Sequence, residues 1–320
     1  MIIRLGYVAM AIDLKKCSPS KTITYKTYKK IKDEEVKLYK LKKVAKQNII
    51  NTKRILLYNV AHNIQVYRIS SKLIPLVTHD DVLDWDYVNE FKDIYRDIKR
   101  IIKENNLRVS AHPDHYTIIS SPKEDVVKSS LQILDYHKNI METFGLDCDH
   151  GKLVLHMGGK YGDKNKTLNR FKEIFSKLNP DIKKRIILEN DDKIYGVSDL
   201  INICEDLSIP LVLDVHHHWC NNNGDNIEDY LQRIFDSWSK EKLKPKIHIS
   251  SPKSETKKRA HAEEIEFDFF NDFIKKAKII DKDFDIMIEA KNKNLALFNL
   301  MNEIKKHKEY KIINESTFEI

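Results

Sequence analysis

Short apolar segments alternate with longer amphipathic segments along the whole chain. Eight of the short segments are rich in Val, Ile and Leu, as expected of strands buried on both faces. They span residues 2–9, 66–70, 107–112, 152–157, 185–190, 210–215, 246–250 and 284–290. Helical sequence follows each one and includes the segments 34–63, 84–106 and 122–145. Eight strand–helix units predict an α/β fold, namely a (β/α)₈ TIM barrel.

A single domain is expected over residues 1–320. No linker rich in Pro, Gly or Ser divides the chain, and no repeat of fixed period is present. An open doubly wound sheet would alternate in the same way, but the first strand is not followed by a glycine-rich phosphate turn. The most polar segment, 250–264, is predicted to be a loop on the barrel.

Composition and charge limit the functional classes. Apolar residues make up 41% of the chain and charged residues 32%, and the formal net charge is +8. This charge suits a polyanionic partner, although many lysine-rich proteins bind no nucleic acid, so both interpretations stay open. The four cysteines form no C-x-x-C pair, and no segment approaches the roughly 18 apolar residues of a membrane span. We therefore expect reduced thiols, no export and a cytoplasmic protein.

Candidate metal ligands recur at the ends of the predicted strands, where the catalytic residues of such barrels lie. Because side chains alternate along a strand, each candidate is the last member of an inward-facing row. A lone His or carboxylate at such a position is usually structural, but six in register favour a metal site, because the carboxylates among them would repel one another without bound cations. Mixed His and carboxylate ligands suit Zn²⁺ or Mn²⁺, and this many could hold more than one ion. The six are His112, His156, Glu189, Asp214, His248 and Glu289.

Lys246 shares the inward face of its strand with His248. A buried ammonium beside cations is costly, so its pKa should fall, and a neutral lysine can react with carbon dioxide to give an anionic carbamate. The residues alone favour the alternative, in which Lys246 pairs with a buried carboxylate. The triplet His216, His217 and His218 directly follows Asp214, and the pattern alone does not select which of the three binds metal.

Ten segments, spread from the first strand to the last, resemble the UV damage endonuclease family of the UvdE/UvsE type. They are RLGYV (4–8), SPSKT (18–22), YRISSKLIPLVTH (67–79), AHPDHY (111–116), VLHMGG (154–159), LEND (188–191), LDVHHHWCN (213–221), KIHISSPK (246–253), RAHAEE (259–264) and IEAK (288–291). The resemblance implies a TIM barrel related to endonuclease IV. It also implies cleavage of duplex DNA immediately 5′ to a UV photoproduct, which leaves a 3′-hydroxyl and a 5′-phosphate.

The resemblance further implies a cluster of two to three metal ions, most often Mn²⁺, with Zn²⁺ or Mg²⁺ as alternatives. Carried onto this chain, one ion falls to His112 and His156, a second to Asp214, His248 and Glu289, and a third to His217, His261 and Lys246. Glu189 is expected to bridge two ions. Glu189 and Lys246 are the expected catalytic residues, and Lys246 stands where the family has a carboxylated lysine.

DNA contacts follow from the same resemblance. The residues expected to contact DNA or the lesion are Tyr7, Arg68, Ser70, Ser71, His115, Tyr116 and Lys253. The chain departs from the family at Asp114 and His115, where the family often has Gly and Gln, and at Met10 and Ala11, where a polar Asn is often found. These departures affect the expected range of lesions that the protein recognises more than the expected cleavage reaction.

Three other functions fit parts of the pattern. A sugar isomerase or epimerase barrel would also gather Glu, Asp and His around metals, but it would have a closed pocket and no affinity for DNA. An abasic-site endonuclease of the endonuclease IV type would share the chemistry and differ in the lesion. A barrel that binds DNA or metal without catalysis is the third. The expected state is a monomer that acts on duplex DNA containing UV lesions and contacts no membrane.

Overall fold

The computed structural model of the chain describes residues 1–320. Eight parallel strands lie in the order β3-β2-β1-β8-β7-β6-β5-β4, and a bridge between Ala111 and Leu153 closes the circle between β3 and β4. The predicted (β/α)₈ barrel is therefore confirmed. The strands are β1 Ile2–Val8, β2 Val66–Arg68, β3 Arg108–Ser110, β4 Leu153–His156, β5 Ile186–Glu189, β6 Leu211–Asp214, β7 Lys246–Ile249 and β8 Phe284–Ile288.

Helices connect the strands and cover the outside of the barrel. They are α1 Tyr25–Lys29, α2 Glu34–Ala61, α3 Tyr87–Glu90, α4 Lys92–Glu104, α5 Glu124–Thr143, α6 Lys164–Lys177, α7 Pro180–Arg185, α8 Val197–Leu207, α9 Val215–Cys220, α10 Glu228–Asp236, α11 Phe267–Ala277 and α12 Lys293–Ile304. The longest, α2, begins after Asp33, whose side chain accepts a hydrogen bond from the backbone N–H of Val36. No helix in the chain is both long enough and apolar enough to cross a bilayer.

Two features differ from the sequence-based expectation. The segment 84–106 is not one helix, because the backbone of Phe91 leaves the helical conformation between α3 and α4 while its ring is buried against Trp85. The chain also ends in a hairpin, β9 Lys311–Asn314 and β10 Thr317–Glu319, whose second strand pairs antiparallel with β1. The polar segment 250–264 is a loop with one short 3₁₀ turn, as predicted.

The interior of the barrel is built in layers. Val154, Ile187 and Val212 point inward from β4, β5 and β6 and form a separate buried cluster with Trp238. Because side chains alternate along a strand, the next inward positions are the last residues of these strands, and all three carry candidate ligands. The apolar layer, which we call the apolar floor, therefore lies directly beneath the candidate site.

Buried ion pairs fill the opposite end of the barrel. The carboxylate of Asp285 is fully buried and accepts hydrogen bonds from Arg4 at 2.7 Å and from Arg108 at 2.6 Å. The guanidinium of Arg108 also lies over the ring of Trp238, at 5.3 Å from the ring centroid. Each of these charges has a partner of opposite sign, so this end needs no bound ion to balance the buried charges.

Replacing Ile187 by Ala should remove part of the apolar floor. The side chain is fully buried, so the free energy of unfolding should fall by about 2–5 kcal/mol in a denaturant titration. Ile279 is 78% exposed, and Ile279→Ala is the matched control, with an expected change within about 0.5 kcal/mol. Equal changes in the two variants would contradict the assignment of Ile187 to a packed interior layer.

Candidate metal centre

The register of the strands brings the candidate ligands together at one rim. His156 on β4 lies beside Glu189 on β5, and Asp214 on β6 lies beside His248 on β7. Glu289 follows β8, and its backbone N–H donates to the carbonyl of Ile249 at 2.8 Å. Because all eight strands are parallel, these carboxyl-terminal ends face the same opening.

Glu189 occupies the centre of the site, and its side chain is 1% exposed. One carboxylate oxygen, Oε2, lies 2.9 Å from Nε2 of His112 and 3.4 Å from Nε2 of His156. The other, Oε1, lies 2.7 Å from Nδ1 of His248. Each oxygen of one carboxylate therefore faces a different set of histidines, which is the arrangement expected of a bridging ligand.

The second set of potential ligands joins Glu189 with Asp214, His248 and Glu289, whose ligand atoms all lie within 4.8 Å of one another. Nδ1 of His248 lies 3.1 Å from Oε1 of Glu289. The guanidinium of Arg68 also contacts Glu289. Together with the set of His112, His156 and Glu189, the structure thus assembles the first two of the three expected groups.

The third expected group is looser. The rings of His217 and His261 lie 6.3 Å apart between centroids. Nδ1 of His217 is 3.8 Å from Asp214 and 4.0 Å from Glu189, whereas Nδ1 of His261 is 4.0 Å from Glu289. Both histidines therefore lie next to the carboxylates of the other two groups, but farther from them than His112 and His248 lie from Glu189.

Backbone carbonyls orient three of the histidines. Nδ1 of His112 donates to the carbonyl of Pro113 at 2.9 Å, and Nδ1 of His217 donates to that of Asn190 at 2.9 Å. Nδ1 of His261 donates to the carbonyl of Glu289 at 2.7 Å. A carbonyl can only accept a hydrogen bond, so Nδ1 carries a proton, and in the neutral ring the lone pair on Nε2 is available to a metal ion.

The same reasoning resolves the histidine triplet. In His216, Nε2 donates to the carbonyl of Lys258 at 2.7 Å and Nδ1 lies 2.8 Å from the hydroxyl of Ser250, so both ring nitrogens are occupied. His218 is buried, and it lines a different cavity that is walled by Trp219 and Phe269. Asp214 caps α9 by accepting from the backbone N–H of His217 at 2.7 Å, which places His217 at the site.

The donor set fits bound cations. In the tautomer fixed by Pro113, a lone pair on Nε2 of His112 faces a carboxylate oxygen, and two acceptors at 2.9 Å require a proton or a cation between them. Nδ1 of His156, Nε2 of His248 and Oδ2 of Asp214 are buried with no hydrogen-bond partner. Ligand atoms about 2.0–2.2 Å from one ion lie about 3–3.5 Å apart, close to the separations observed around Glu189.

Burial and charge set the protonation states at the site. Burial raises the pKa of Glu189, yet His248 and His156 outweigh it and hold that pKa well below its usual range. Burial lowers the pKa of His156 to about 4. Burial also lowers the pKa of His217, but Asp214 and the neighbouring glutamates raise it to about 9. Glu189 is thus ionised and His156 neutral, as metal ligation requires, whereas His217 has to lose a proton to bind a metal ion.

Lys246 lies inside the barrel below His248 and is fully buried. Its Nζ donates to the hydroxyl of Ser110 at 2.6 Å, and no carboxylate lies within ion-pair distance. The pairing with a buried carboxylate that the residues alone favoured is therefore wrong. Burial, and then the charge of Arg108, hold the pKa of Lys246 well below its usual range.

Three of the residues predicted to contact DNA are exposed at or near the rim, namely His115, Tyr116 and Lys253. Tyr116 is 55% exposed, and its hydroxyl donates to the carboxylate of Asp114. Asp114 also accepts from the hydroxyl of Ser71 at 3.1 Å. Asp114 therefore joins the loops after β2 and β3 and fixes the position of the Tyr116 ring.

Three other residues predicted to contact DNA are buried or already bound to neighbouring side chains. Tyr7 is fully buried in the barrel wall, where its hydroxyl donates to Asn59 at 2.6 Å, so the ring cannot insert into DNA. Ser70 is 7% exposed and its hydroxyl lies 2.7 Å from that of Ser20. Arg68 is bound to Glu289 and points into the site, and its contact with a phosphate stays a prediction.

Two residues that support the site were missed by the sequence reasoning. Asn190 is fully buried and bonds to Asp214 twice, through Asp214 N–H at 2.8 Å and the Asp214 carbonyl at 3.0 Å. Its position directly after Glu189 was the only available signal. Asp114 was noticed only as a departure from the family, because the sequence did not show that it would reach the hydroxyl of Tyr116.

Comparison with known proteins gives a consistent result over the full length. Residues 3–319 match the family described as UV-endonuclease UvdE. The UV DNA damage endonuclease of Bacillus cereus (strain 03BB102) is 43% identical over 319 residues, which is 100% of both chains. The crystal structure of SacUVDE is 34% identical, with a TM-score of 0.84 over 95% of this chain and 98% of that chain.

A more distant likeness concerns the fold alone. The crystal structure of endonuclease IV from Thermus thermophilus is 11% identical, with a TM-score of 0.55 over 95% of this chain and 100% of that chain. This likeness agrees with a TIM barrel and carries no argument about substrate. The match to the family and the identity to its relatives are much stronger, and they show that this chain belongs to the UV-endonuclease UvdE family.

Proposed function

We propose that this protein is a metal-dependent UV DNA damage endonuclease that hydrolyses the phosphodiester immediately 5′ to pyrimidine dimers and 6-4 photoproducts. The products would be a 3′-hydroxyl and a 5′-phosphate. The observation that carries the proposal is the carboxylate of Glu189, whose two oxygens face two different sets of ligands at the open rim of the barrel. Family membership supports the substrate class.

The residues at the rim suit hydrolysis of a phosphodiester. Mn²⁺ is the proposed ion, two or three per site, and bound ions of this kind lower the pKa of a water, orient the phosphate and neutralise the leaving oxygen. Asn190 fixes the backbone of Asp214, and Arg68 contacts the carboxylate of Glu289, so both ligand positions would be held. Orientation by fixed neighbours removes reorganisation cost from the chemical step.

Lys246 is proposed to be carboxylated. A neutral amine attacks the carbon of carbon dioxide, a C–N bond forms and one proton leaves, which gives a carbamate anion. Deep burial, a strongly lowered pKa and the absence of a carboxylate partner all favour the neutral amine. The carbamate would then supply an anionic ligand inside the barrel, which the family resemblance groups with His217 and His261.

Recognition of the lesion is proposed to depend on the rim residues His115 and Tyr116. Their rings meet edge to face at 5.4 Å, and both are exposed. With its hydroxyl bound to Asp114, Tyr116 presents ring faces that can stack on bases or fill the space left by an unstacked step. A damaged base-pair step costs less free energy to unstack than an intact one. The protein would therefore select lesions by how easily the duplex deforms.

The setting is proposed to be cytoplasmic, because the substrate is DNA and all four cysteines are free. The protein is proposed to act as a monomer. Lys253, exposed beside the rim, is proposed to contact a phosphate.

Nicking of UV-irradiated duplex DNA with Mn²⁺ is the direct test of the function. Chelation should abolish nicking and added Mn²⁺ should restore it, while a duplex with an abasic site should be cut less efficiently. Glu189→Gln should lower kcat by more than about 100-fold, because even the loss of an outer partner of a ligand costs about 10–100-fold. The surface variant Glu303→Gln is the control, and full nicking by Glu189→Gln would remove the bridging role.

Carboxylation of Lys246 can be measured by carbon NMR after equilibration with ¹³C-bicarbonate. One carbamate resonance is expected, and it should disappear in Lys246→Met. Lys152 is the matched control because it is equally buried but forms an ion pair with Glu241, so Lys152→Met should keep the resonance. A protein that is active and shows no carbamate resonance would contradict the proposal.

The ring of Tyr116 should matter more than its hydroxyl. Tyr116→Ala should lower kcat/KM on lesion-containing duplex by roughly 5- to 150-fold, since stacking of an aromatic ring on a base is worth about 1–3 kcal/mol. Tyr116→Phe keeps the ring and loses only the bond to Asp114, so its loss should be under about 5-fold. If the two variants behaved alike, stacking by Tyr116 would be excluded.

A further inference from the structure

The positive charge of the chain is concentrated in one segment. Between Lys15 and Lys46 there are twelve lysines and three acidic residues, a formal charge of +9, whereas the whole chain carries +8. The remaining residues therefore sum to about neutral. We refer to residues 15–46 as the basic segment. It contains the connection from β1 to α2 and the first part of α2.

The charges of the basic segment are exposed and almost entirely unpaired. Ten of the twelve lysines are exposed, and only Lys42 forms an ion pair, with Glu90 at 2.6 Å. Tyr39 is 62% exposed among them, and the ammonium of Lys43 lies 5.8 Å from its ring centroid. Unpaired like charges at this density repel one another, so a polyanion that binds here lowers the electrostatic free energy of this surface.

The basic segment is fixed beside the candidate metal centre. The hydroxyl of Ser20 lies 2.7 Å from that of Ser70, just after β2. The amide of Asn48 on α2 donates to the carbonyls of Lys21, Lys72 and Leu73, which ties the two loops together. Arg68 on β2 in turn binds Glu289. The segment is therefore attached at the rim where the metal ligands lie.

Its shape follows the rim and then the side of the barrel. Lys40, Lys43 and Lys46 repeat every three residues on the exposed side of α2, which aligns them along the helix. From Lys37 to Lys46 the helix advances about 14 Å, roughly four base pairs of duplex. Exposed lysines along such a length match a phosphate backbone better than a single small anion.

We propose that the basic segment is a second DNA-binding surface that holds the phosphate backbone of the duplex flanking the site of the nick. The assignment of DNA as occupant rests on the proposed function, because a substrate seated at the rim would extend past this segment. Binding here would be independent of sequence and lesion. It would supply much of the affinity for undamaged DNA and of the salt dependence of binding.

The experiment compares two fourfold variants with equal changes in charge. The test variant carries Lys26→Gln, Lys29→Gln, Lys30→Gln and Lys32→Gln. The control carries Lys275→Gln, Lys278→Gln, Lys305→Gln and Lys308→Gln, which lie at the ends of α11 and α12, away from the metal centre. All eight lysines are exposed and form no ion pair. The full chain is used throughout, and thermal unfolding confirms that each variant is folded.

Affinity for an undamaged duplex of about 30 base pairs is measured against salt concentration. Each lost phosphate contact lowers the slope of log K against log salt by about 0.9. The test variant should therefore show a slope reduced in magnitude by about 2 to 4 and an affinity at least about 10-fold lower, whereas the control should keep the parental slope. Turnover at saturating lesion-containing duplex should be unchanged in both variants.

Equal slopes in the test and control variants would overturn the proposal, whatever other polyanion the segment binds. Loss of turnover at saturation in a folded test variant would also overturn it, because the segment would then act in the chemistry. The binding measurement needs no nicking. A parent protein that shows the segment-dependent slope but does not cut irradiated DNA would therefore refute the proposed function and leave this surface in place.

Discussion

Repulsion among three carboxylates is the constraint on which the candidate site depends. Glu189, Asp214 and Glu289 are brought to one rim by strand register, and all three are largely or fully buried. Buried carboxylates at this distance cannot all stay ionised without positive charge. The chain supplies Arg68, which contacts Glu289, and His248, whose Nδ1 lies close to both Glu189 and Glu289. Oδ2 of Asp214 is buried with no partner, so bound cations could supply further positive charge there, and residues that look unfavourable in isolation form a coherent candidate site for cations.

The surroundings of the site show how the fold manages that constraint. At the far end of the barrel, the negative charge of Asp285 is fully compensated by Arg4 and Arg108. An apolar layer separates the two ends. At the rim, by contrast, three histidines donate Nδ1–H to backbone carbonyls, and Nε2 of one of them, His112, faces Glu189. The two ends thus differ in the source of the counter-charge, which is arginine side chains at the far end and, under the proposed function, bound ions at the rim.

Sequence pattern predicted the barrel and most of the site because both follow local periodicity. Strand ends, and the two-residue alternation that carries Glu189 and Asp214 inward, are readable from a single chain. What depends on contacts between distant segments was not readable. The choice of His217 over His216 depends on the carbonyls of Asn190 and Lys258. The burial of Tyr7 depends on Asn59 in α2, and the partner of Lys246 is a hydroxyl on β3 that no spacing rule connects to it.

Capture of DNA and cleavage of DNA place opposite electrostatic demands on the protein. A rim that gathers carboxylates to hold cations repels a phosphate backbone until those cations are bound, and Asp114 adds a further negative charge beside Tyr116. The basic segment meets the first demand without adding charge to the site, because its lysines are exposed and uncharged side chains, among them Ser20 and Asn48, attach it to the rim. Affinity can then be set by the segment, selectivity by the ring of Tyr116 and rate by Glu189. Since these groups share no side-chain contact, each property can change without altering the other two.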